Sequence, residues 1–276
     1  MAPFMTHLVV GERVWSRLEW DGSRRGHDDY GTFLFGCLAP DMDKLCNGLE
    51  QGTTHFLPKD EAGDYAWQRS QRLLDHPAEY LRAPFGRLSA SEQAFVLGYL
   101  CHVATDEISG RHALRIQDQL TVRGGALPNV DAILTVMDGR FWAMADDPRG
   151  ITAALSGAAI PEGTMLFAPP VCLGAMYQIV LPHVCDGGGL DSYLDMVRRE
   201  RYWMRSWASG STAGLTEDAG LESDLADYRR RLEEDLPASG RLVNTMELEP
   251  ILEEAVVHSY DRCARMCSHA SDGEMG

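Results

Sequence analysis

The stretch GYLCHVATDEISGRH, residues 98–112, constrains this chain more than any other. Its apolar residues recur at helical spacing, so it reads as a helix inside the protein, yet the same run carries His102, Asp106 and His112. An imidazole or a carboxylate buried without partners is costly, so the helix needs a metal ion or an internal hydrogen-bond network beside it. His102 and Asp106 are i,i+4 and project from one face about one turn apart. His112 would point about 120° away on a continued helix. A break at Ser109-Gly110 is expected to bring it back.

The rest of the chain repeats the 3.6-residue apolar period with little strand-like alternation, which predicts an all-α fold. Helices are expected over 5–18, 63–75, 90–108, 130–146, 172–185, 190–207, 221–235 and 246–267. Thr6 is the expected N-cap of the first, and Ser89 or Ser91 with Glu92 or Gln93 is expected to form a capping box on the third. Between them lie stretches read as irregular: FLFGCLAPDMDKLCNGLEQGTTHFLPKD, VRGGALPN, AAIPEGTMLFAPP and SGSTAGLTEDAG. The first is long for a loop and carries chemistry, which marks it as functional and expected to close over a cleft. Residues 1–276 are expected to form a single domain, with 268–276 as a frayed tail.

A 45% apolar composition fills a core, and a formal charge of −16 argues against general affinity for nucleic acid or anionic membranes. The N-terminal MAPFMTHLVVGERVW has neither a basic region nor a long apolar run, and no segment has the roughly 20 apolar residues of a membrane span. A cytoplasmic protein is expected, with its seven scattered cysteines as free thiols.

Three further residues join the question that residues 98–112 raise: His7 near the start of the first helix, Asp41 in APDMD, and His55 in TTHF. Together His7, Asp41, His55, His102, Asp106 and His112 form a nitrogen and oxygen donor set of the kind that binds zinc. The segments THLVVGERV, FLFGCLAPDMD, TTHF and GYLCHVATDE, followed by His112, resemble in that order the zinc-dependent phospholipase C family, related in fold to the single-strand-specific zinc nucleases. The resemblance is clearest over residues 5–115.

That resemblance implies an all-α, bundle-like domain around a cleft holding two or three zinc ions. It further implies His55, His102 and Asp106 as ligands of the central ions, and His7 and His112 as ligands of outer ones. Asp41 would be both a metal contact and the general base for hydrolysis of a phosphodiester in a small or lipid-like substrate. Zinc lowers the pKa of a bound water towards about 7 and neutralises charge on phosphoryl oxygens, so an acidic protein can still bind an anion.

The chain departs from the family in two places. Six residues precede His7, so the chelate that secreted relatives build from a mature N-terminal residue is expected to be missing or altered. The later His-x3-acid pair has no counterpart soon after His112, where the next helix offers only Asp131 and Asp138; Asp131 is the candidate outer ligand. His183, and His258 with Glu254 one turn before it, are further substitutes. Cys263, Cys267 and His269 lack a fourth ligand for a structural zinc site. Phe141, Trp142, Tyr202, Trp203 and Trp207 read as core, or as an apolar wall beside the metals. Two other functions fit the same residues: transformation of a non-phosphate metabolite on this scaffold, and a non-catalytic metal-stabilised binding protein.

Overall fold

The computed structural model describes residues 4–18, 27–46, 49–56, 69–122, 130–209 and 219–272. Regular structure among the described residues is helical, and the β-contact there is an isolated bridge between Leu81 and Met165. The helices are α1 (Phe4–Arg17), α2 (His27–Gly36), α3 (Gln51–Thr54), α4 (Arg69–Asp75), α5 (Pro77–Tyr80) and α6 (Ala90–Val122). They continue with α7 (Val130–Trp142), α8 (Pro148–Ser156), α9 (Pro170–Cys185), α10 (Leu190–Ser209), α11 (Ala219–Asn244) and α12 (Leu248–Asp272). Short 3-10 helices span Ala39–Leu45 and Phe85–Arg87.

Helix α6 is the central post. Ser89 and Glu92 cap it reciprocally: Ser89 N and Oγ donate to Glu92 Oε2 at 3.0 and 2.8 Å, and Glu92 N donates to Ser89 Oγ at 3.4 Å. Residues Ala94 to Ile108 are buried on nearly every side, because α1, α2, α4 and α12 all pack on it. The closest approach is to α2. A Cβ on Gly98 would lie 2.0 Å from Phe33 O, and one on Gly36 would lie 2.3 Å from Phe95 O, so the two backbones touch where only glycine fits.

The sequence expectations need four corrections. Helix α6 does not break at Gly110 but runs to Val122, since one glycine costs a helix only about 1 kcal/mol and packing on α12 offsets it. The segment after Phe33 is not an irregular loop: α2, the 3-10 helix and α3 occupy most of it. Residues 31–42 are buried throughout, so they show no amphipathic period to read. Helix α8 was legible but missed, with Asp147 as N-cap accepting from Gly150 N at 2.9 Å and Pro148 at the first position. Residues 268–272 continue α12 instead of fraying. The stretches 123–129 and 210–218, and residues 57–58 and 273–276, lie outside the described residues.

The cysteine expectation is corrected as well. Cys46 and Cys172 form a disulfide with Cα atoms 6.1 Å apart, while Cys37, Cys101, Cys185, Cys263 and Cys267 are free. Because the bonded residues are 126 apart in sequence, spacing gave no hint of the pair.

Candidate metal centre

Four separate elements deliver the polar residues of the centre. His7 is on the first turn of α1, beside the buried Met5, Leu8 and Val9. Asp41 is in the 3-10 helix Ala39–Leu45, which is tied down at its end by Trp203 Nε1 donating to Leu45 O at 2.9 Å and by the Cys46–Cys172 bond. His55 caps the C-terminus of α3, and Phe56 after it takes a left-handed backbone with φ of 56°. That conformation costs a non-glycine residue about 1–2 kcal/mol, and the Phe56 ring is held against Tyr80, Tyr99 and Phe167 at 4.6, 5.7 and 6.1 Å between centroids. His102 and Asp106 come from one face of α6, as their spacing requires.

The five side chains converge. His7, His102 and Asp106 form one group whose donor atoms lie within 4.8 Å of one another, and Asp41, His55 and His102 form a second. His55 Nε2 is 3.4 Å from His102 Nε2, 3.5 Å from Asp106 Oδ2 and 3.8 Å from Asp41 Oδ1. Asp106 Oδ2 is 3.8 Å from His102 Nε2, while its other oxygen faces His7 Nε2 at 3.6 Å. Two donors on one tetrahedral ion stand about 3–4 Å apart, so these spacings suit a coordination shell. Asp106 thus turns one oxygen toward His7 and the other toward His55 and His102, and His102 is the residue common to both groups. The His7 and His102 rings stack at 3.8 Å and 9°.

Two of the imidazoles are each held by a hydrogen bond from behind. His102 Nδ1 donates to the Cys37 carbonyl at 2.7 Å, an atom brought there by the glycine contact of α2 with α6. Thr54 Oγ1 lies 2.8 Å from His55 Nδ1 and 3.3 Å from Gln51 O, so with its proton on Gln51 O it accepts from His55 Nδ1. His102 thus turns an unprotonated Nε2 inward, as metal-ligating histidines do, and the Thr54 contact allows His55 the same tautomer.

Electrostatics point the same way. Burial, reinforced by neighbouring His102, pushes His7 down to about 3 and His55 down to about 4, so both rings are neutral at neutral pH. Burial opposes ionisation of Asp106, but the imidazoles of His102, His7 and His55 hold it well below the usual carboxylate range. Burial is likewise outweighed at Asp41, where Lys44 and the imidazoles keep the carboxylate ionised. Lys44 Nζ lies 3.1 Å from Asp41 Oδ1.

Not every candidate arrives. His112 belongs to neither group: with α6 unbroken it turns away, and its Nε2 hydrogen-bonds Glu254 Oε2 of α12 at 2.8 Å. His258 Nε2 bonds Glu107 Oε2 at 2.6 Å, so Glu254 and His258 serve the α6–α12 contact. His183 meets Ser192 Oγ at 3.0 Å. The side chains of Asp131, Trp207 and His269 lie outside the described residues. Phe141 is core, and Trp142 and Tyr202 are half-buried against it. The residues that sequence reasoning missed are the orienting ones, Cys37 through its backbone and Thr54. A threonine directly before a candidate histidine was a signal available for the second alone.

The model of the family described as zinc dependent phospholipase C matches residues 6–159, more than half of the 276-residue chain, and the chain belongs to that family. No curated protein matches the chain. No solved structure matches it either.

Proposed function

From that membership we propose that the chain is a zinc-dependent hydrolase that cleaves a phosphoester or phosphodiester with an activated water. The observation that carries the proposal is the convergence of His7, Asp41, His55, His102 and Asp106, with the His55 and His102 rings each held by a hydrogen bond from behind. These residues fit zinc: the donors are imidazole and carboxylate, they are buried, and neither group includes a cysteine thiol. Zinc bound there would supply Lewis acidity toward a phosphoryl oxygen and would acidify a water.

The protein's own residues do the rest. In the proposed step the water oxygen bonds to phosphorus as the bond from phosphorus to the leaving oxygen breaks. Asp41, kept ionised by Lys44 and the neighbouring imidazoles, accepts the water's proton on a carboxylate oxygen and returns it to the departing alcohol. The Lys44 ammonium beside Asp41, three-quarters buried, offsets the carboxylates around it and favours an anionic substrate. A lipid-like phosphoester is the substrate class that membership of the zinc dependent phospholipase C family supports.

Asp41→Asn separates the roles. Turnover of a nitrophenyl phosphate diester should fall about 10²–10⁴-fold while zinc content stays near wild type. Asp106→Asn should lower zinc content and turnover together. Full activity in Asp41→Asn would remove it as the base. A fully zinc-loaded protein that turns over no phosphoester would move the non-phosphate and scaffold readings ahead.

A further inference from the structure

Helix α1 starts at Phe4 without an acidic residue in its first turn, and the sequence before it, Met-Ala-Pro, offers no side-chain cap. The first backbone N–H groups of a helix have no acceptor within it. Thr6, read from sequence as the N-cap, lies instead inside the first turn. Its N–H donates to Asp138 Oδ1 of α7 at 2.8 Å, and its Oγ1 lies 3.5 Å from the same oxygen. The cap therefore comes from a residue 132 positions away. Asp138 is 4% exposed and Thr6 2%, so water does not compete for these bonds.

The residue after Thr6 is His7. We propose that Asp138 is a positioning residue of the metal centre: by capping α1 from α7 it fixes the height and rotation of the turn that carries His7, and so where His7 Nε2 meets Asp106. A second tie supports this. Further along α1, Glu12 accepts from Asp146 N at 2.9 Å and Asp147 N at 2.7 Å, just beyond the end of α7. Each helix thus caps backbone supplied by the other's neighbourhood, and α1 is pinned at two points about two turns apart. A helix held at two points neither slides nor rolls, and a coordination shell tolerates displacements of only about 0.2 Å.

The inference rests on the metal-centre reading, and its test separates the two. Zinc dissociation constants are measured on the full chain by competition with a chromophoric chelator, alongside melting temperatures. Asp138→Ala should weaken zinc binding about 10–100-fold. Asp138→Asn, whose amide oxygen still accepts from Thr6, should restore it to within about threefold of wild type. In a His7→Ala background Asp138→Ala should add less than a twofold loss, whereas in a His55→Ala background it should weaken zinc as in wild type. A merely structural role would move both backgrounds alike. Should Asp138→Ala fail to fold, Asp138→Glu keeps a carboxylate but lengthens it, and the same two-background comparison applies. Undiminished zinc affinity in the Ala or Glu variant, failure of Asn to rescue, or equal losses in both backgrounds overturns the positioning role and leaves the metal reading standing. Absence of zinc binding in wild type overturns both.

Discussion

Replacing Gly98 with alanine tests whether the contact between α2 and α6 sets up the metal centre. The added Cβ would sit 2.0 Å from Phe33 O, 2.9 Å from Phe33 C and 3.0 Å from Cys37 N, all backbone atoms that no rotamer change can move. Restoring a C···O separation of about 3.3 Å requires α2 to retreat by roughly 1.3 Å. Carried to Cys37, that shift stretches the 2.7 Å bond from His102 Nδ1 to about 4 Å, beyond hydrogen-bond range. Overpacking of a core costs about 1–3 kcal/mol, and a buried N–H left without its acceptor costs about 1–3 more. Both lie at the upper end here because the obstruction is backbone, for an expected loss of about 4–6 kcal/mol. At about 2–4 °C per kcal/mol the melting temperature should fall by roughly 10–20 °C. Zinc affinity should fall about 10–100-fold as His102 loses its orienting partner. Gly240→Ala in α11 is the control: its Cβ meets nothing within 4 Å, so the substitution should stabilise by about 0.4–1 kcal/mol and leave zinc binding alone. Denaturant unfolding and chelator competition on both variants give the answer. A Gly98→Ala protein within about 1 kcal/mol of wild type and with unchanged zinc affinity would refute the reasoning.

Two further outcomes are expected. In metal-free protein His7 and His55 should not titrate by NMR above about pH 5, since burial has lowered them to about 3 and about 4; a midpoint near 6.5 for either would contradict their placement. Their contribution to stability is complete above pH 6.5 and is lost as pH falls toward those values. Burial acts oppositely on Asp138, raised to about 8, and on Asp43, raised to about 7, whose contributions are lost as pH rises through those values, so resonance titration discriminates better than melting. Alkylation of the denatured, unreduced protein should label five of the seven cysteines, leaving Cys46 and Cys172; seven labelled thiols would remove the disulfide and agree with a reducing compartment.

What the sequence determined by itself is what helical geometry and donor chemistry carry locally. The interval of four between His102 and Asp106 puts them on one face wherever that helix is, and apolar neighbours on all sides require that face to be buried. The donor types of His7, Asp41 and His55 were legible for the same reason: imidazole and carboxylate select the ion whatever the fold. Tertiary structure decided everything that depends on backbone position or on partners far along the chain. Whether Gly110 breaks α6 depends on α12 packing beside it, and that contact turned His112 to Glu254. The acceptor that orients His102 is a main-chain carbonyl, which every residue possesses, so no side chain advertises it. The cap that holds the turn of His7 comes from Asp138, and the bond that anchors the Asp41 turn joins Cys46 to Cys172. A periodicity argument reaches one or two turns along a helix, whereas these contacts span from 65 to 142 residues and exist only once the helices have packed.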